Sequence, residues 1–221
     1  MAEMSKKRCV IVAAGSIDDT SAIKAYADSA DFVIAADAGY VYCRDAGIEP
    51  DLFVGDYDSS KKPKTQNELI ALNPIKDATD TETALTEAEK RGYKEITLLG
   101  ALGGRVDHTL ANLALVSQAK QRGTNLTIID SHHKIFAVKN ESVRIERKTA
   151  KYYLSVFSVG GDSVISEEGV YYPLSDYTLS PFSALGVSNE ITSDEAVITV
   201  KKGTVIICLL YTSPSPRDRT R

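Results

Sequence analysis

The sequence predicts an α/β domain with a mainly parallel sheet, followed by a small all-β domain. Two observations carry this prediction. Up to about Asp130, apolar runs of strand length alternate with helix-period patterns, the signal of βαβ units. Beyond that point, short β-rich runs are separated by turn residues and no strong helix pattern returns. The change of texture, near 131–135, divides the chain into an α/β domain over 1–131 and a β domain over 132–210.

The elements follow in order. Residues 9–14 (CVIVAA) form a continuous apolar strand broken by Gly15-Ser16, and a helix capped by Asp18 or Asp19 runs on to about residue 30. Phe32–Ala36 is the second strand and ends at Asp37. Residues 40–46 read as a helix closed by Gly47, and Pro50 precedes a short strand over 52–54. The polar stretch 59–73 reads as a helix between loops, and Ile75 marks a short strand. Residues 81–91 place Ala84, Leu85 and Ala88 on one helix face with Gly92 just past the end. A strand over 96–99 leads to Gly100 and Gly103-Gly104, a helix spans 108–122 with Gly123 as its stop, and 126–129 is the last strand. The whole is a Rossmann-like α/β domain. In the second part, 135–138, 143–145, 153–159, 164–165, 197–200 and 205–209 are strands, the last two joined as a hairpin by Lys201-Lys202-Gly203. These read as a small sandwich or barrel.

Bulk properties narrow the function. A net charge of -4 and the lack of a dense Lys/Arg patch argue against a nucleic-acid partner, and Lys61-Lys62-Pro63-Lys64 reads as a solvated loop. No apolar run reaches membrane length, and the first eight residues lack the apolar segment of a signal peptide, so a cytoplasmic protein is expected. The three cysteines, 9, 43 and 208, have no metal or redox spacing and take no role. Residues 211–221 (YTSPSPRDRTR) are polar, proline-containing and basic, and are expected to be a disordered, non-native tail.

Four short acidic motifs carry the chemistry, each expected just after a strand, where open α/β sheets build their ligand sites. They are Asp37-Ala38-Gly39, Gly55-Asp56-Tyr57-Asp58-Ser59, Asp77-Ala78-Thr79-Asp80-Thr81-Glu82 and Gly104-Arg105-Val106-Asp107-His108. Carboxylates gathered at one sheet edge repel unless a cation holds them, and Mg²⁺ takes oxygen ligands with phosphates completing its shell. In extended backbone, Asp56 and Asp58 point the same way and can face one cation; the alternative is a turn in which they cap backbone amides. Asp80 or Thr79 can equally be a helix N-cap. The glycine pair at 103–104 before a helix suits an anion, Arg105 offers bidentate contact to phosphate, and Asp107 can orient His108 or bind metal. Neither a P-loop nor a dinucleotide-binding glycine fingerprint is present, and no Ser/His/Asp or Cys/His nucleophile stands out.

These motifs, together with Gly47-Ile48-Glu49-Pro50-Asp51, Lys76 before Asp77, the run from Gly100 through Asn112-Leu113, and Gly186-Val187-Ser188-Asn189-Glu190, resemble those of thiamine pyrophosphokinases over residues 8 to 209. The resemblance implies transfer of pyrophosphate from ATP to thiamine, giving thiamine diphosphate and AMP. It implies an N-terminal α/β domain, a C-terminal β-sandwich and a homodimer with active sites between subunits. By matching, Asp56, Asp58, Asp80 and Asp107 would organise Mg²⁺ and the triphosphate, with Asp37, Gly39, Gly104 and His108 beside them. Arg105 would face the phosphates, and Ser188 and Asn189 would line the thiamine pocket. Asp56 or Asp107 would accept the hydroxyl proton. Tyr57 stands where Phe is common, and the chain has no tryptophan, so a Tyr or Phe must replace the aromatic that some members stack on thiamine. A D-x-D glycosyltransferase would leave the Asp80 and Asp107 motifs unused, and the intact acidic positions argue against a non-catalytic thiamine or nucleotide sensor.

Overall fold

The computed structural model describes residues 7–57, 62–73, 78–147, 152–181 and 183–211. The chain divides into two compact units, Met1–Ser131 and His132–Arg221. The first contains strands β1 (Arg8–Val12), β2 (Phe32–Ala36), β3 (Leu52–Gly55), β4 (Glu68–Ala71), β5 (Glu95–Leu99) and β6 (Asn125–Ile129). Four helices, α1 (Ser21–Ala27), α2 (Gly39–Asp45), α3 (Asp80–Lys90) and α4 (Val106–Gln121), alternate with them. The strands lie in the order β6-β5-β1-β2-β3-β4, and every pair in that series is parallel. A parallel sheet covered on both faces needs continuous apolar strands, and Cys9 through Val12 and Val33 through Ala36 are buried without a break. The order reverses between β1 and β5. The chain leaves β1 toward β2 on one side and adds β5 and β6 on the other, which opens a crevice at the carboxyl ends of these two strands.

Two expectations change here. The stretch 59–73, read as a helix, contains β4, which pairs in parallel with β3 from Leu52↔Glu68 to Gly55↔Ala71. At the sheet edge, β4 is only partly buried, so its residues show no apolar alternation; pairing with β3 rather than local pattern makes it a strand. The first helix ends at Ala27 rather than near residue 30, and Thr20 occupies its N-cap position without a side-chain cap bond. Asp19 instead accepts from the Ser21 N–H at 2.8 Å and its hydroxyl at 2.6 Å. The strand expected at Ile75 and the tail 212–221 lie outside the described residues.

The second unit is antiparallel throughout. Its strands are β7 (His133–Lys139), β8 (Ser142–Glu146), β9 (Tyr152–Ser158), β10 (Ser163–Glu168), β11 (Leu174–Leu179), β12 (Asn189–Glu190), β13 (Glu195–Lys202) and β14 (Thr204–Tyr211). They pair in two sets, β12-β9-β14-β7 and β11-β10-β13-β8. One core draws on both: Leu154, Val156, Val205 and Ile207 from the first, Ile165, Leu179, Ile198 and Val200 from the second. The hairpin expected over Lys201-Lys202-Gly203 does not form: β13 pairs with β10 and β8 and β14 with β7 and β9, so Gly203, whose φ of +98° is accessible to glycine, carries the chain from one set of strands to the other. β11 is mostly exposed and carried no strand signal in the sequence.

Gly39 seats α2 on the sheet. A Cβ there would lie 2.0 Å from the Val12 carbonyl oxygen, so α2 can approach β1 only because the side chain is missing. Gly39→Ala is therefore expected to lower unfolding free energy by about 1–3 kcal/mol through overpacking. Urea unfolding monitored by circular dichroism checks this, and an unchanged midpoint would show that α2 can shift at no cost.

Candidate active site

The crevice holds a cavity of about 400 Å³. Its floor is the pair of loops that leave β1 and β5. Gly15 N–H donates to the Gly100 carbonyl at 2.8 Å and Ser16 N–H to the Leu102 carbonyl at 3.1 Å, tying the loops together. Gly15 is required there, since a Cβ would come within 2.4 Å of the Gly100 oxygen. Asp37, just after β2, lines one side, held by its N–H on the Val54 carbonyl at 2.8 Å. Thr79, Asp80 and Thr81 at the start of α3 line another side, and Gly103, Gly104, Arg105 and His108 complete it.

Thr79 settles the capping ambiguity. Its hydroxyl accepts the Glu82 N–H at 3.1 Å, so Thr79 is the N-cap, and Asp80 in the first turn is left to line the cavity. Asp37 and Asp80 therefore share one cavity. The phenol of Tyr57 reports both carboxylates: burial first, then Asp80 and Asp37, push it up to about 12. Its ring meets Tyr40 edge-on at 6.4 Å.

The remaining expected carboxylates are arranged differently. Tyr57 has φ +54°, a left-handed conformation, so the extended backbone assumed for the D-x-D motif is absent at its middle residue. Asp58 and Asp77 lie outside the described residues. Asp56 and Asp107 do not line the cavity. Among the described residues, no three of His, Cys, Asp and Glu gather in a group that could hold a metal ion. Asp107 is exposed and paired with Arg105, whose Nε and Nη2 donate to it at 3.1 and 2.6 Å. That pairing, with the His108 N–H as a further donor, holds the Asp107 carboxyl down at about 2. While Arg105 is paired with it, this carboxylate has little affinity for a proton. Gly39 packs against β1 and does not line the cavity.

Asn112, on α4, was not singled out as a site residue. It is buried, and its Nδ2 donates to the Ala101 carbonyl at 2.8 Å, fixing the loop after β5 against the helix. Its position one helical turn after His108 was the available signal.

In the second unit, Ser188 is exposed and left-handed at φ +60°, with its N–H on Ser155 Oγ at 3.0 Å. Asn189 differs from its expected role. It is buried and its amide is saturated by the protein: Oδ1 accepts the N–H groups of Tyr172 and Glu190, both at 3.0 Å, and Nδ2 donates to the Tyr172 carbonyl at 2.9 Å and Glu167 Oε2 at 3.0 Å. Such an amide has nothing left for a ligand. Glu167, also missed in the sequence, is buried at the end of this chain of bonds.

Fold and cavity together define an α/β unit with an acidic, glycine-walled crevice at its strand-order switch, followed by an antiparallel β unit. The chain belongs to the thiamin pyrophosphokinase family: residues 23–128 match its catalytic domain and residues 140–205 its vitamin B1 binding domain. It is 29% identical to the thiamine pyrophosphokinase of Bacillus subtilis strain 168, over 89% of this chain and 95% of that protein. It is 27% identical to thiamin pyrophosphokinase 1 of Caenorhabditis elegans, over 67% of this chain and 65% of that protein. The crystal structure of thiamine pyrophosphokinase from Bacillus subtilis superposes with a TM-score of 0.82 at 26% identity, covering 94% of this chain and all of that one.

Burial raises the Glu167 pKa above its ordinary 4.5 and outweighs the Asn189 hydrogen bond, which acts against it. The folded protein thus holds this proton more tightly than the unfolded chain. Its stabilising contribution is complete below pH 4.5 and is lost as pH rises through the folded value. Glu167→Gln, which has no proton to release, is expected to gain in Tm over the parent progressively above pH 4.5. Calorimetry at a series of pH values measures this; a constant difference from pH 4 to 8 would contradict it.

Proposed function

We propose that this chain transfers the pyrophosphate group of ATP to the hydroxyl of thiamine, releasing AMP. The observation that carries this reading, beyond family membership, is the cavity shared by Asp37, Asp80, the Gly103-Gly104 loop and Arg105. Glycine amides ahead of α4 and the Arg105 guanidinium suit phosphate oxygens. We read the first unit as a Rossmann-like catalytic domain and the second as a β-sandwich that binds thiamine. Exposed Ser188 and the exposed ring pair Tyr171 and Tyr172 are available to a cationic heterocycle.

Mg²⁺ is held by one or two carboxylates plus substrate phosphates and water. Asp37 and Asp80, two hard-oxygen donors on one cavity, fit that demand. The bound ion would neutralise triphosphate oxygens. The chain's own residues do the rest. In the reaction, the thiamine hydroxyl oxygen forms a bond to the β-phosphorus, the bond from that phosphorus to the α–β bridging oxygen breaks, and AMP leaves. Arg105 exchanges its exposed partner Asp107 for phosphate oxygens and offsets the charge of the leaving group. The hydroxyl proton passes to Asp56 or Asp107; the Arg105 pairing that holds the Asp107 carboxyl down is released as the guanidinium moves to phosphate.

A homodimer would cover exposed apolar side chains such as Leu185 and Val187 in the second unit. No described helix is long and apolar enough to cross a membrane. Cys9 and Cys43, buried as thiols, suit the cytoplasm as its compartment.

AMP formation from ATP, with and without thiamine and with EDTA, tests the reading. Thiamine-dependent, EDTA-sensitive AMP is expected. A nucleoside diphosphate released from a sugar donor, or thiamine bound with no AMP formed, would overturn it. Asp80→Asn and Asp56→Asn are each expected to lower kcat about 10²-fold or more by removing a charge or the base. A variant with near-normal kcat would remove that residue from the chemistry.

A further inference from the structure

Glu167 sits where the strand pattern of β10 calls for an apolar side chain. It shares the inward face with Ser163 and Ile165, is 1% exposed, and its Oε1 accepts no hydrogen bond among the described residues. A carboxyl group in such a place costs stability relative to a well-packed apolar side chain. What it supplies in return is an acceptor aimed at Asn189. Oε2 takes the Nδ2–H of that amide at 3.0 Å. Oδ1 takes the Tyr172 and Glu190 N–H groups and one N–H of Nδ2 reaches the Tyr172 carbonyl, so Glu167 supplies the one acceptor for the remaining N–H and completes the set. Both backbone groups of Tyr172 thus end on one amide that Glu167 anchors from the core side. An apolar residue would leave one buried Nδ2–H without an acceptor and the amide without that anchor.

The parts held by this chain are on the surface. Tyr171 and Tyr172 are 64% and 66% exposed, with rings edge-on at 4.8 Å, and the Tyr171 N–H is fixed by the Glu190 carbonyl at 2.9 Å. Ser188 precedes Asn189 directly, in its left-handed conformation. A buried network with a saturated amide, ending in an exposed aromatic pair and a left-handed serine, is the arrangement of a support beneath a binding surface.

We propose that Glu167 is a positioning residue for the thiamine subsite: through Asn189 it holds the Tyr171–Tyr172 turn and Ser188 in the arrangement that receives thiamine. This rests on the reading of the second unit as the thiamine-binding domain. Glu167 is buried, and its effect is transmitted through the anchoring of one amide.

Steady-state AMP release from the full chain, varied separately in thiamine and in ATP, tests it on wild type, Glu167→Leu and Glu167→Gln. Glu167→Leu is expected to raise KM for thiamine about tenfold while KM for ATP stays within about twofold, because only the thiamine-side geometry is loosened. Glu167→Gln, whose amide oxygen still accepts from Asn189, is expected to stay within about threefold of wild type on both. An unchanged thiamine KM in a folded Glu167→Leu, or an equal rise in both KM values, would overturn the proposal, since a purely structural role lowers Tm without separating the two. If the leucine variant does not fold, amide hydrogen exchange at Tyr172 and Glu190 in the glutamine variant gives the second reading. Protection matching wild type with a near-normal thiamine KM upholds the proposal, and lost protection with an unchanged thiamine KM overturns it. Wild type that forms no thiamine-dependent AMP overturns both this inference and the functional reading, whereas active wild type with an unaffected leucine variant overturns this one alone.

Discussion

The tie between the loops after β1 and β5 is the constraint on which the catalytic unit depends. At the point where strand order reverses, those loops diverge, and two backbone bonds, Gly15 to Gly100 and Ser16 to Leu102, keep them at one spacing. Neither loop could approach the other with a side chain at Gly15. Once this floor is set, each wall has its own fastening. Asp37 hangs on Val54, the Thr79 cap orients the first turn of α3 so that Asp80 lines the cavity, and Asn112 pins the β5 loop to α4. The acidic cavity is thus a product of backbone hydrogen bonding, with the carboxylates carried on a framework whose polar groups are already satisfied.

The second unit solves a different problem. Its core is aliphatic and needs no polar group for cohesion, yet it includes Glu167. A buried acceptor oxygen without a hydrogen bond costs about 1–3 kcal/mol. Set against that cost is one further anchor on the Asn189 amide, which also holds both backbone groups of Tyr172. A sheet core specified by packing alone would be more stable and less particular about the surface it presents. Stability has been exchanged for a defined surface loop, and such exchanges cluster where ligands bind.

What could be read from the sequence follows from which signals are local. The buried parallel strands announce themselves as continuous apolar runs, and α3 as a capped, amphipathic segment closed by glycine, because burial and capping act on neighbouring residues. β4 and β11 could not be read, since one is a part-buried edge and the other faces solvent over most of its length. In the site, Asp37, Asp80, Gly104, Arg105 and His108 were legible from their motifs and do share the cavity. The left-handed φ of Tyr57 was not, because a non-glycine residue gives no conformational warning. The structural use of Asn189 was equally hidden. Its partners, Glu167 and Tyr172, are 22 and 17 residues away, so only the folded β unit brings them together.

The Arg105–Asp107 pair shows how a modest interaction can serve the chemistry better than a strong one. Both groups are exposed, so the pair contributes little to stability and breaking it costs little. At rest it keeps Asp107 ionised even at low pH and keeps the guanidinium near the cavity wall that Arg105 lines. A triphosphate presents more charge and a closer geometric match to the guanidinium fork than one solvated carboxylate. In the proposed reaction Arg105 therefore passes from Asp107 to phosphate with a small barrier and a net gain. Had Asp107 been buried with it, as Glu167 is buried with Asn189, the arginine would be committed to structure and unavailable to substrate. Exposure at the first pair and burial at the second thus separate the two jobs that fixed polar groups do here: one is free to exchange partners with a ligand, and the other is not.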